Sequence, residues 1–188
     1  MNPCDYVLYS GGAQGAEASF GKLAEEYGVQ EVNYTFPGHK AVRSRGLRVL
    51  KPEDLALKDV SVTYISKIMG RRYSHSPLLR KVLQSLCWQV SSSGEVFIVG
   101  VIQSDGTVKG GTGWGAEYAK IRNKPLYVYD QDKETWFLWR LGEWFPVDEP
   151  IINQCHFTGS GTRYLKPAGE KAIQGLYERT FGAPADCG

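Results

Sequence analysis

Long apolar runs are missing from this sequence. None approaches the roughly 18 residues that a bilayer-spanning helix needs, so no membrane-spanning helix and no membrane partner are expected. A basic N-terminal segment leading into an apolar stretch is missing too, which points to a soluble, cytoplasmic protein. Cysteine is scarce. Cys4, Cys87, Cys155 and Cys187 are widely spaced without a CxxC pair, and free thiols in a reducing compartment are the simpler expectation. With only three histidines, no metal-ligand spacing can be built and no metal or cofactor is indicated. Charge of one sign is also lacking, because 22 Lys and Arg face 20 Asp and Glu for a net +2. A nucleic-acid footprint needs cations concentrated on one face. The only dense basic stretch, His39 to Lys51 with Arg43, Arg45 and Arg48, reads as a solvated loop rather than a ligand clamp. Nucleic acid is therefore not an expected partner.

What remains is an ordinary globular composition, 42% hydrophobic and 22% charged, in a length of 188 residues that suits one domain. Two residue classes stand out against it: 22 glycines, and five tryptophans grouped between Trp88 and Trp144. The chain is organised around Glu95 to Asp130. Val96 to Val99 is a continuous apolar run, as expected of a parallel strand buried on both faces. Gly110-Gly111-Thr112-Gly113 forms a turn, Trp114 to Ile121 a helix, and Leu126 to Tyr129 a second strand. A βαβ unit with a glycine-rich turn at a helix N-terminus brings bare backbone N–H groups up to a phosphate.

The same order recurs at the start of the chain. Tyr6 to Tyr9 reads as a strand, Ser10-Gly11-Gly12-Ala13-Gln14-Gly15-Ala16-Glu17 as the turn, and Ala16 to Tyr27 as an amphipathic helix closed by Gly28. The glycines fall as GGxxG rather than GxGxxG, and the next strand, Val32 to Phe36, lacks a terminal acid for a ribose hydroxyl. An ordinary dinucleotide site is disfavoured. Pro37 to Lys51 reads as a loop over the strand ends, Pro52 to Met69 as one helix, Gly70 to Ser76 as a loop and Pro77 to Val90 as a firmer helix. An antiparallel hairpin is expected at 135–147, exposing aromatic residues between Trp136 and Phe145 as a surface for self-association. His156 to Thr158 reads as a last short strand emptying into a third turn, Gly159-Ser160-Gly161-Thr162-Arg163, before a closing helix from Pro167 to Phe181. The expected class is α/β: a Rossmann-like, mostly parallel sheet with flanking helices.

In such a sheet ligands bind beyond the carboxyl ends of the strands, where strand order reverses. The candidate ligand-binding residues are therefore the three turns: Ser10 to Gly15 with Glu17, Gly110 to Trp114, and Gly159 to Arg163. Glycine can equally serve a tight connection. Arg163 offers a planar fork of donors suited to phosphate. Glu117, one turn into its helix, and Arg80, on the helix before the central strand, are the catalytic candidates if the protein is an enzyme.

Ser10 to Glu17 resembles the SGGAxGAD-type first loop of the SLOG superfamily of Rossmann-like proteins. That group includes the lonely-guy phosphoribohydrolases, the DNA-processing protein A family and molybdenum-cofactor carrier-like proteins. Gly110 to Glu117 is similar to their second loop, GGxGTxxE in the lonely-guy enzymes. The run to Lys124-Pro125-Leu126-Tyr127-Val128-Tyr129-Asp130, the helix end Trp88-Gln89-Val90 and the segment Phe157 to Arg163 are closest to a carrier-like branch. The resemblance spans most of the chain and implies a nucleotide-binding Rossmann-like fold that self-associates. Trp114 stands where lonely-guy enzymes keep a threonine, and Arg80-Lys81 lies further back than their catalytic pair. The expected function is binding of a nucleotide-derived phosphorylated ligand, such as an ADP-ribose-type or cyclic nucleotide signal, for sensing, sequestering or carrying. Nucleoside monophosphate hydrolysis and molybdenum-cofactor carriage are the alternatives.

Overall fold

The computed structural model describes residues 1–73 and 75–183. Eight strands form one sheet in the order β3-β2-β1-β8-β4-β5-β6-β7. The strands are β1 (Val7–Ser10), β2 (Gln30–Thr35), β3 (Leu47–Val49), β4 (Glu95–Gly100), β5 (Leu126–Asp130), β6 (Thr135–Arg140), β7 (Glu143–Val147) and β8 (His156–Gly161). Every pairing from β3 to β5 is parallel, and β6 and β7 add an antiparallel hairpin. The expected α/β class and hairpin are both present. Among the described residues, no helix is long and apolar enough to cross a membrane.

The apolar run Val96 to Val99 is buried on both faces because helices cover both sides of the sheet. On one side α1 (Ala16–Tyr27) and α6 (Pro167–Phe181) pack over Leu8, Phe97, Phe157 and Tyr129. Phe20, Phe157 and Tyr177 are fully buried there, each contributing about 1.5–3 kcal/mol by leaving water. On the other side α3 (Asp59–Ile68), α4 (Pro77–Ser92) and α5 (Thr112–Ile121) cover Val96, Ile98, Leu126 and Val128.

The segment from Pro52 to Met69, expected as one helix, is two: α2 (Pro52–Ala56) and α3. The indole N–H of Trp88 donates to the Asp54 carbonyl at 2.8 Å, which is the acceptor that Lys58 would use in a continuous helix. Lys58 N–H turns to Leu55 O instead, and a side chain inserted into the ladder breaks the helix. Pro37 to Lys51 contains β3, an exposed edge strand. The third turn is also corrected. Gly159, Ser160 and Gly161 belong to β8, paired with Phe97, Ile98 and Val99 of β4. A Cβ at Gly159 would lie 2.5 Å from the Phe20 ring, so glycine there lets α1 approach the sheet.

The hairpin is not the exposed aromatic surface expected. Trp136 is buried, edge-on to Phe97 at 6.0 Å and to Tyr129 at 5.4 Å. Trp139 and Trp144 pack on each other and under Lys120, whose Nζ lies 3.8 Å from the Trp139 ring centre. Cys4 and Cys155 are exposed and Cys87 is buried, all as free thiols. Cys187 lies outside the described residues.

Candidate functional site

The chain runs outward from β1 to β3, crosses back through α2, α3 and α4, and runs outward again from β4 to β7. β8 returns last into the slot between β1 and β4. Strand order therefore reverses at β1, β8 and β4, and the loops leaving these three neighbours open at one edge of the sheet. The sequence-derived residues at Ser10–Glu17, Gly110–Trp114 and Gly159–Arg163 are brought to this edge, but the three stretches differ in what they offer a ligand.

The first and third are locked to each other. Ser10 Oγ donates to Gly159 O at 2.9 Å, and Ala16 N donates to Thr162 O at 3.0 Å. Gly15, at φ 94°, leaves no room for a Cβ, which would sit 2.4 Å from Thr162 O. Glu17 is buried between them. Its carboxyl accepts from Ala13 N at 3.0 Å and from Ser160 Oγ at 2.9 Å. Burial pushes its pKa up, against the opposing pull of those donors. Gly11 and Gly12 are themselves buried. The Gly12 carbonyl accepts from Val42 and Arg43 N–H, and Ala13 pairs with Ala41, so the following loop closes over the turn. Around it lie acceptors: Asn33 Oδ1 and Gln89 Oε1 are buried without a hydrogen-bond partner among the described residues. Gln14 and Arg163 are exposed at the margin. The basic stretch is likewise internal in use, because Arg43 pairs with buried Glu31 at 2.6 Å and with Glu25 at 2.8 Å.

The second turn is open. Gly110 and Gly111 are exposed, and a Cβ on either would meet empty space, whereas one on Gly113 would lie 2.0 Å from Val108 O. Gly113 thus serves packing. At the first turn of α5, Gly113 N and Trp114 N already donate to Gly110 O at 3.2 Å and Gly111 O at 3.1 Å, so what Gly110-Gly111 present is the positive end of the helix dipole. Beside them is a cavity of about 360 Å³. Its polar lining is Arg71, Arg72, Lys109 and Gln103, and its apolar wall is Leu79, Leu83 and the edge of Trp114. Arg71 is committed to holding the loop. Its guanidinium donates to Val108 O at 3.0 Å, Gly110 O at 3.1 Å, Gln103 Oε1 at 2.6 Å and Thr107 Oγ1 at 2.7 Å. Arg72 contacts His75 on the exposed side. Arg72 and Lys109 are the cations left to a ligand. Trp114, mostly buried, packs against Tyr73 at 6.1 Å. Burial, with a smaller push from Asp59, holds the Tyr73 phenol at about 12, so it stays neutral.

The two catalytic candidates are not brought together. Glu117 turns toward the hairpin, 3.1 Å from Lys120 Nζ, and Arg80 pairs with Asp59 at 3.1 Å across α3 and α4 while lying over the Tyr73 ring. Neither lines the cavity. Sequence reasoning missed Arg71, Arg72, Lys109 and Leu79, placing the first two in a connecting loop. The available signal was the arginine pair Arg71-Arg72, four residues ahead of a capped helix start at Ser76-Pro77. Among the described residues, no group of three His, Cys, Asp or Glu could hold a metal ion. Comparison with protein-family models, with curated proteins and with solved structures finds no match to this chain.

Proposed function

We propose that the protein binds a nucleotide-derived phosphorylated ligand at the second glycine turn and holds it without turning it over. The observation that carries this reading is the cavity lining. Arg72, Lys109 and the positive end of the α5 dipole at Gly110-Gly111 face an apolar wall of Leu79, Leu83 and Trp114. Among the described residues no carboxylate, hydroxyl, thiol or imidazole lines it. The cations and the helix dipole suit a phosphate, and the apolar wall suits a base or another flat group. A general acid or base must come within hydrogen-bond reach of the reacting group, and Glu117 is turned away to Lys120. The resemblance of both loops to SLOG proteins agrees with nucleotide binding, and Glu117 and Trp114 argue against the hydrolase branch.

Calorimetry against mononucleotides, cyclic nucleotides and ADP-ribose derivatives tests the proposal. Binding of at least one is expected, weakening with salt. Arg72→Ala and Lys109→Ala should each lower affinity about tenfold or more, as for a lost charged hydrogen bond, with melting temperature unchanged. If no phosphorylated ligand binds, or if free base is released and Glu117→Gln stops the release, the reading is wrong.

A further inference from the structure

A second cavity, of about 400 Å³, shares no lining residue with the one at the second glycine turn. It lies on the opposite face of the sheet, between α6 and the β6–β7 hairpin, and Tyr129 and Trp136 give it an aromatic wall. Five charged side chains line it. Lys171 and Arg179 stand on α6, Glu134 sits at the entry to the hairpin, and Asp148 and Glu149 follow its exit. Among the described residues, none of the five is in an ion pair. We infer that this cavity binds a free α-amino acid with an apolar side chain, its carboxylate held from α6 and its ammonium from the hairpin acids.

Arg179 is the first argument. Its guanidinium folds back along α6 over Gly175, where a Cβ would lie 2.8 Å from Nη1. Nε donates to Pro150 O at 3.1 Å, while Nη2 is buried with no hydrogen-bond partner among the described residues. A desolvated, charged donor without an acceptor is costly, and a carboxylate is the acceptor that suits a guanidinium fork. Burial draws the Arg179 pKa down against a smaller upward pull from Glu149, yet the two do not close into an ion pair. That leaves opposite charges facing each other across open space, which a zwitterion fills. The backbone is the second argument. Glu134 at φ 49° and Glu149 at φ 47° are both left-handed, a conformation that glycine and asparagine enter far more readily. Hairpin turns place those residues at such positions, so turn chemistry does not account for two glutamates here. Strain of this kind collects at binding sites. Charge type is the third. Acids alone would suit a metal ion, but among the described residues no three converge on one point. Cations and acids beside an aromatic wall suit a molecule that carries both charges, whose ammonium and side chain gain from the rings. The volume is that of a small-molecule site.

Calorimetry with L-phenylalanine and L-leucine tests the assignment, and at least one should bind at millimolar concentration or below. The matching amino alcohol and carboxylic acid, phenylalaninol and hydrocinnamate or leucinol and isocaproate, each lack one charge. Both should bind about tenfold more weakly or worse. Arg179→Gln removes the charge while keeping a donor for Pro150 O, and should weaken binding by a similar factor. Lys171→Ala, at an exposed site, repeats the carboxylate test without touching the packing of α6. Glu149→Asn removes an acid and eases the backbone, so it should weaken binding while melting at or above the wild-type temperature. The Arg72→Ala, Lys109→Ala double variant should bind the amino acid as the wild type does, which separates this site from the nucleotide reading. Failure of both amino acids to bind would overturn the inference. So would a one-charge molecule that binds as well as the amino acid, which would make the site one for simple cations or anions. Affinity unchanged by Arg179→Gln, Lys171→Ala and Glu149→Asn alike, or lost in the double variant, would place the amino acid elsewhere and overturn it too.

Discussion

Glu17 is a carboxyl held out of water where β1 meets α1, with donors at Ala13 N and Ser160 Oγ that compensate only part of its desolvation. Its folded pKa is raised above the unfolded value, so between the two the folded chain binds more protons than the unfolded chain. Stability must then fall as pH rises through that window, and be free of this cost below the unfolded pKa. Glu95, also raised by burial, acts in the same direction. Glu17→Gln removes the ionisation while keeping an acceptor for Ala13. The difference between variant and wild type isolates Glu17 from Glu95. Denaturant unfolding from pH 4.5 upward should show the variant's stability declining less steeply, by at most ~1.4 kcal/mol per pH unit within the window. Parallel curves would mean that Glu17 ionises as readily folded as unfolded. At this scale the sequence was only partly legible. It marked Glu17 and the glycines, but a glycine's role depends on what stands opposite it. Gly113 faces Val108 O and Gly159 faces the Phe20 ring, whereas Gly110 faces open space. The Phe20 partner is set by strand order, which no local pattern in the sequence contains, and the Val108 partner by how the 101–111 loop folds back.

The segment 101–111 carries the open turn, and it is fastened as an element rather than by one residue. Ile102 pairs with Val108, Arg71 grips it from the end of α3, and Gly106 O accepts from both Trp144 Nε1 at 2.8 Å and Lys120 Nζ at 3.2 Å. The hairpin β6–β7 therefore acts as a brace for the loop that presents Lys109, Gly110 and Gly111. Trp144→Phe keeps the ring over Lys120 but removes the donor to Gly106. The expected cost is about 1 kcal/mol of stability, with faster amide exchange across 101–111 and several-fold weaker binding of whichever ligand the calorimetric screen identifies. Unchanged exchange in that segment would show that the hairpin does not brace it. Elements buried on both faces, such as β4 and β5, were readable because their apolar runs have no polar alternation. Two things escaped. β3 is three exposed residues with no burial pattern to find, and the α2–α3 break depends on Trp88, 34 residues downstream, taking the Asp54 carbonyl.

At the scale of the whole molecule, the cavity joins parts far apart in the chain: the end of α3, the start of α4 and the exit of β4, all attached to the central strands. Arg71 ties α3 to the 101–111 loop, and the loop returns through Asp130, whose Oδ2 accepts from Ile102 N at 3.1 Å. A ligand bound there would touch α4, α5 and the 101–111 loop, and Leu83 and Trp114 in that lining belong to the core packed on β4 and β5. Its binding energy should therefore appear as stability of the cooperative unit. At a hundredfold excess over the dissociation constant the gain is about 2.7 kcal/mol, or roughly 5–10 °C in melting temperature for a chain of this size. All probes of unfolding should move together, near- and far-ultraviolet circular dichroism and tryptophan fluorescence alike. A ligand that binds by calorimetry yet shifts only the fluorescence of Trp114 and its neighbours would place the site on a locally unfolding segment. The Arg72→Ala, Lys109→Ala double variant should lose the shift while melting at the wild-type temperature without ligand. A double variant that keeps the shift would move the phosphate elsewhere, to the closed first turn or to Arg163 at its margin.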